Sequence, residues 1–76
     1  MPYDYSKLDG KITEVFGARY NFAKAMGMSE RSLSLKMTCQ RPWKDTQISK
    51  AAQLLGISQL EIGLYFFKLK VQANWT

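Results

Sequence analysis

The stretch RYNFAKAMGMSERSLSLKMT, Arg19 to Thr38, constrains this chain more than any other part of it. Phe22, Ala23 and Met26 fall at i, i+1 and i+4, one face of a helix. Gly27 comes just past the last of them, where a left-handed residue lets the chain leave a helix and turn. Met28 follows as an apolar plug. Ser29 is placed to cap a second helix, and Leu33 and Met37 repeat at i, i+4 on its inner face. Two short helices joined by about three residues have little freedom in how they cross, which is the geometry of a helix-turn-helix.

The small residue Ala23 lies four positions before Gly27, where two steeply crossing helices need their backbones close. Phe22 and Met26 flank it, and Leu33 stands six positions after the glycine. On Ala23, Gly27, Met28, Ser29 and Leu33 the segment resembles the repressor and Cro family of bacterial and phage helix-turn-helix proteins. Lys36 departs from that pattern, since the family usually has an apolar residue there. Its aliphatic stem can cover core while the amine reaches out. The wider chain, from DYSKL to LLGIS and EIGLYFF, resembles small phage Cro-like proteins. The resemblance implies an all-α, compact five-helix lambda-repressor-like DNA-binding domain over residues 1–67, with a short extended arm over 68–76.

Length sets the outer limit. A chain of 76 residues holds one core and buries only about 60% of its unfolded surface. The apolar share of 46% argues against wholesale disorder. No apolar run approaches the ~20 residues that cross a bilayer, and MPYDYSK lacks an export signal's basic and apolar regions. Cys39 has no internal disulfide partner, in keeping with a reducing cytoplasm, here a bacterial host's, close to its nucleoid.

Charge is informative through its placement. Residues 1–16 carry net −1, residues 17–50 carry +5 and residues 51–76 carry +1. The whole excess arises in the segment holding the two-helix motif. Basic charge gathered on one segment suits a phosphate-facing surface, although a solvated face with spare lysines would look the same.

In chain order, Tyr5, Leu8, Ile12, Val15 and Phe16 form one stripe and predict a first helix over 5–16. Ser6 with Asp9, or else Asp4, caps it. Gly10 inside it should cost about 1 kcal/mol relative to alanine, a cost that a close backbone contact with another helix would justify. Pro42 breaks the chain after the motif. Trp43 either stacks on a sugar or anchors the core, the usual role of an aromatic just before a helix. Ile48, Ala51, Ala52 and Leu55 predict a helix over 45–55, and Gly56 ends it. Ser58 and Glu61 form a capping box for a fifth helix running to about Phe67. Leu60, Ile62, Leu64, Phe66 and Phe67 spread over more than one of its faces. In KLKVQANWT apolar and polar residues alternate, so the tail reads as an extended arm with no strand partner inside a helical domain. A homodimer through Phe66, Phe67, Leu69 and Val71 is the resulting expectation; a loose C-terminus is the alternative.

Catalysis has little to stand on. There is no histidine, the one cysteine lacks an activating base, and the glycines form no phosphate loop. No cofactor or metal is expected. The resemblance implies a phage or prophage transcriptional regulator, and the chain is expected to bind double-stranded operator DNA with the helix from about Ser29 to Thr38 in the major groove. Glu30, Arg31, Ser34, Leu35 and Thr38 would face the bases. Arg31 suits guanine, Glu30 cytosine and Leu35 a thymine methyl. Arg19, Tyr20 and Asn21 on one side, and Lys36, Gln40, Arg41 and Lys44 on the other, would hold phosphates. The rival class is a phage antirepressor or other protein-interaction module that keeps the same fold.

Overall fold

The computed structural model describes residues 3–69. Five α-helices follow one another: α1 (Ser6–Phe16), α2 (Arg19–Met26), α3 (Glu30–Met37), α4 (Asp45–Leu55) and α5 (Ile62–Phe66). The fold is all-α. Asp4 starts α1, its carboxylate accepting from the Ser6 amide (2.9 Å) and hydroxyl (2.7 Å). The Ser6–Asp9 cap does not form, because Asp9 faces Arg19 instead. Leu8 and Ile12 are fully buried. Val15 is a correction to the expected stripe: it lies 45% exposed at the edge of the helix. Among the described residues nothing comes within 4 Å of where a Cβ on Gly10 would sit, so no close contact offsets the cost of that glycine.

Gly27 is left-handed (φ 76°, ψ 26°), and the Met28 amide reaches back to the Ala23 carbonyl at 3.0 Å. Ser29 then accepts from the Ser32 amide at 3.1 Å and opens α3. These bonds account for the short connection between α2 and α3. Phe22, Ala23 and Met26 from α2 meet Leu33 and Met37 from α3 in one core, completed by Ile48, Ala51, Ala52 and Leu55 of α4. α1 packs on α2, α4 and α5, and α2 packs on α3 and α4.

Trp43 is half-buried, edge-on to Phe66 with ring centroids 5.1 Å apart, so it anchors core. Its buried indole N–H has no acceptor among the described residues. The Ser58–Glu61 box forms but opens a 3₁₀ turn, Gln59–Glu61, so α5 proper is only five residues long. Phe66 is 1% exposed and is therefore not available to a second subunit. Leu60, Leu64 and Phe67 are exposed.

The start of the tail departs from expectation. Leu69 forms an antiparallel bridge with Tyr3, and the Asp4 amide donates to the Lys68 carbonyl at 2.6 Å. The strand partner is the chain's own beginning. Val71 lies outside the described residues.

Candidate functional site

The outer side of α3 and its two flanks form the candidate site. Leu33 and Met37 fix which way the helix faces, because both are buried. Arg31 and Thr38 then point outward and are exposed, with Leu35 and Ser34 half-buried beside them and Glu30 exposed at the helix start. Arg31 and Glu30 form no ion pair with each other among the described residues. Thr38 folds its hydroxyl back onto the Ser34 carbonyl at 3.0 Å, and the Gln40 amide donates to that hydroxyl at 3.1 Å.

On one flank lies the start of α2. Its N-cap is Ala18, which offers no side-chain acceptor, so the first-turn amides keep donors for an anion. Tyr20 is 58% exposed there. The two polar neighbours are already engaged. Arg19 donates to Asp9 at 2.8 Å, a bond that raises the guanidinium pKa and keeps it charged. Asn21 donates to the Phe16 carbonyl at 3.0 Å and closes α1.

The other flank is built by α3 and the loop after it. Cys39 is left-handed (φ 65°) and its thiol bridges the Tyr3 backbone, accepting from the amide at 3.3 Å and donating to the carbonyl at 3.4 Å. The Gln40 and Arg41 amides fold back to the Leu35 carbonyl at 2.9 and 3.2 Å. The loop thus curls over Lys36. Lys36 is a correction to the expected phosphate row: it is only 7% exposed. Its amine donates to the Pro42 carbonyl at 3.1 Å and lies 5.9 Å from the Trp43 ring centroid. Burial, with Lys44 and Arg41 nearby, pushes its pKa down. Arg41 and Lys44 themselves are exposed.

Together these groups enclose a cleft of about 280 Å³, lined among others by Ser32, Lys36, Arg41, Pro42, Lys44 and Gln47. Ser32 and Gln47 were not anticipated. A signal was present for Ser32: Met28, Ser32 and Lys36 recur every four residues, marking a second flank of α3 beside the outward one. Ser29, at the start of the helix expected to enter the groove, is engaged as the cap of α3.

This is a small all-helical protein with a charged surface around α3 and, among the described residues, no helix long and apolar enough to cross a membrane. The chain belongs to the family described as protein of unknown function DUF739, whose model matches residues 1–69. It is similar to the solved solution structure of the modulator of repression (MOR) of the temperate bacteriophage TP901-1 from Lactococcus lactis. The two share 53% sequence identity, over 95% of this chain and 97% of that one, with a TM-score of 0.79. No curated protein matches the chain. Similarity at that level over nearly the whole of both chains supports a phage regulatory role.

Proposed function

We propose that the chain modulates repression in a temperate phage, and that the outer face of α3 works by lying in the major groove of operator DNA. The observation that carries this reading is the tight α2–turn–α3 unit, which leaves Arg31 exposed on the side of α3 opposite Leu33. The open amides at the start of α2 add a place for a backbone phosphate. Arg31 reads a guanine, Leu35 meets a thymine methyl, and Tyr20, Gln40, Arg41 and Lys44 steady the duplex backbone. The protein would then act in the manner of a Cro, by occupying a promoter. Two copies, joined through Phe67 and Leu69, would read half-sites about 34 Å apart.

A second reading has its own support. Arg19, Asn21, Ser29, Lys36 and Thr38 all hold bonds within the chain, which thins the row of free donors a duplex needs. Glu30 puts a negative charge at the tip of α3. The similar phage protein is named for modulating repression, and a modulator can do that by docking on the repressor itself. In this reading the same face of α3 covers a protein.

Selection of bound fragments from a random DNA pool, followed by titration of the winner, tests the first reading. Arg31→Ala should relax preference at one base pair and cost about 1–3 kcal/mol. Lys44→Ala should weaken all sequences alike and flatten the salt slope by about one unit. No enrichment from the pool, together with salt-insensitive binding to the phage's repressor, would transfer the assignment to the second reading.

A further inference from the structure

The cleft between α3 and the start of α4 has a charge imbalance that the fold leaves unanswered. Three cations, Lys36, Arg41 and Lys44, line it, and no carboxylate does. One amine proton of Lys36 goes to the Pro42 carbonyl. Among the described residues no hydrogen-bond acceptor takes the other two, although the amine lies 5.9 Å from the Trp43 ring centroid. Lys44 is the N-cap of α4, and an ammonium cannot accept a hydrogen bond. Only Gln47 reaches back, its carbonyl accepting from the Lys44 amide at 3.0 Å. The first-turn amides of α4 and its dipole add to the positive field of the three side chains, offset in part by Asp45 in the same turn.

The geometry points to a seat for one carboxylate, an aspartate or glutamate side chain of a partner protein, held by the Lys36 amine at the bottom with Arg41 and Lys44 at the rim. A carboxylate offers two oxygens to the two free protons of Lys36, and charge-assisted bonds of this kind are among the strongest available. Depth selects the protein source over a nucleic acid. Lys36 as a residue is 7% exposed beside the exposed Arg41 and Lys44, so a group on a slender stem approaches it more closely than a bulky one. A phosphodiester carries a sugar on each side and would stop at the exposed Arg41 and Lys44. This inference rests on the second reading above, in which the surface meets the repressor.

Calorimetric titration of the full chain tests it, using the repressor of the phage or prophage that carries this chain and, separately, a random-sequence duplex. Lys36→Met keeps the stem over the core and removes the charge. It should weaken repressor binding at least about tenfold while leaving duplex affinity within about twofold. Arg41→Gln with Lys44→Gln, both at exposed positions, should weaken repressor binding as well, and this pair decides the matter if Lys36→Met does not fold. Wild-type binding to the repressor that neither variant disturbs overturns the cleft and leaves the repressor reading standing. A Lys36→Met loss confined to the duplex assigns the cleft to phosphate and overturns the proposal. A wild-type chain that ignores the repressor removes both the cleft's occupant and the second reading. Titration of labelled protein with sodium acetate gives a further check: shifts at Lys36, Ser32 and Gln47 are expected, and shifts elsewhere alone count against the seat.

Discussion

Lys36 shows how one residue decides what a surface can do. Its position on α3 suggested a phosphate contact, because the stem could cover core and the amine could swing out. Both ends stay in, since Pro42 and Trp43 fold over and offer a carbonyl and a ring face. A charged amine held there costs free energy in the folded state, which is why its pKa falls. The unfolded chain then binds the proton more tightly than the native chain, so Lys36's contribution to stability improves as pH rises into the range of its lowered pKa. Lys36→Met has no such dependence. The melting temperature of Lys36→Met relative to wild type should therefore decline from pH 7 to pH 9.5. Paired thermal melts check this, and a Lys36→Met melting temperature that rises relative to wild type over that range would rule out burial as the cause of the shift. Cys39 is the neighbouring case: a left-handed, β-substituted residue is strained, and its thiol bonds to Tyr3 are what the strain is exchanged for.

Among the elements, helix ends were legible and helix neighbours were not. Gly17, Gly27 and Gly56 all take positive φ at the ends of α1, α2 and α4, as their positions in the sequence implied. The reason is local: only the residue and its own helix decide a C-cap. Gly10 was undecided in the sequence, because an interior glycine can serve a close packing partner, and among the described residues there is none. Gly10→Ala should stabilise α1 by about 0.5–1 kcal/mol, measured by chemical denaturation. A destabilised Gly10→Ala would mean that something packs there. The link between α1 and α2 also bears on function. Asp9 holds Arg19 at 2.8 Å across a partly exposed pair, worth about 1 kcal/mol or less. If duplex DNA is the target, Asp9→Asn frees that guanidinium for a phosphate, and duplex affinity should rise several-fold with a steeper salt slope of about one unit. Unchanged affinity would remove Arg19 from the phosphate row. The shortened α5 was not legible, since a capping box marks where a turn begins and not whether it continues as α or 3₁₀.

At the scale of the molecule, the core was the legible part. Leu8, Ile12, Phe22, Ala23, Leu33, Ala51 and Leu55 all lie where their periodicity put them. The site was legible only on its outward row, because α3's periodicity fixes a face but not the loop that curls over Lys36. The tail was misjudged for a reason of distance, as Leu69 pairs with Tyr3 at the opposite end of the sequence, beyond any local pattern. This bears on self-association. With Phe66 buried and the backbone of Lys68 already bonded, a homodimer would rest on Phe67 and Leu69, each 51% exposed, beside Leu64. Sedimentation of the full chain at high micromolar concentration should show a concentration-dependent dimer that Phe67→Ser weakens. A strict monomer there leaves each α3 to act singly.

Tyr3 is fastened on two sides, to Leu69 by the backbone bridge and to Cys39, just past α3, by the thiol. Both ends of the described chain are thus moored at the far end of the candidate recognition helix. A fusion, tether or binding partner that tugs on either terminus would load that mooring first, so the freedom of α3 to adjust to what it touches is set partly from the chain ends.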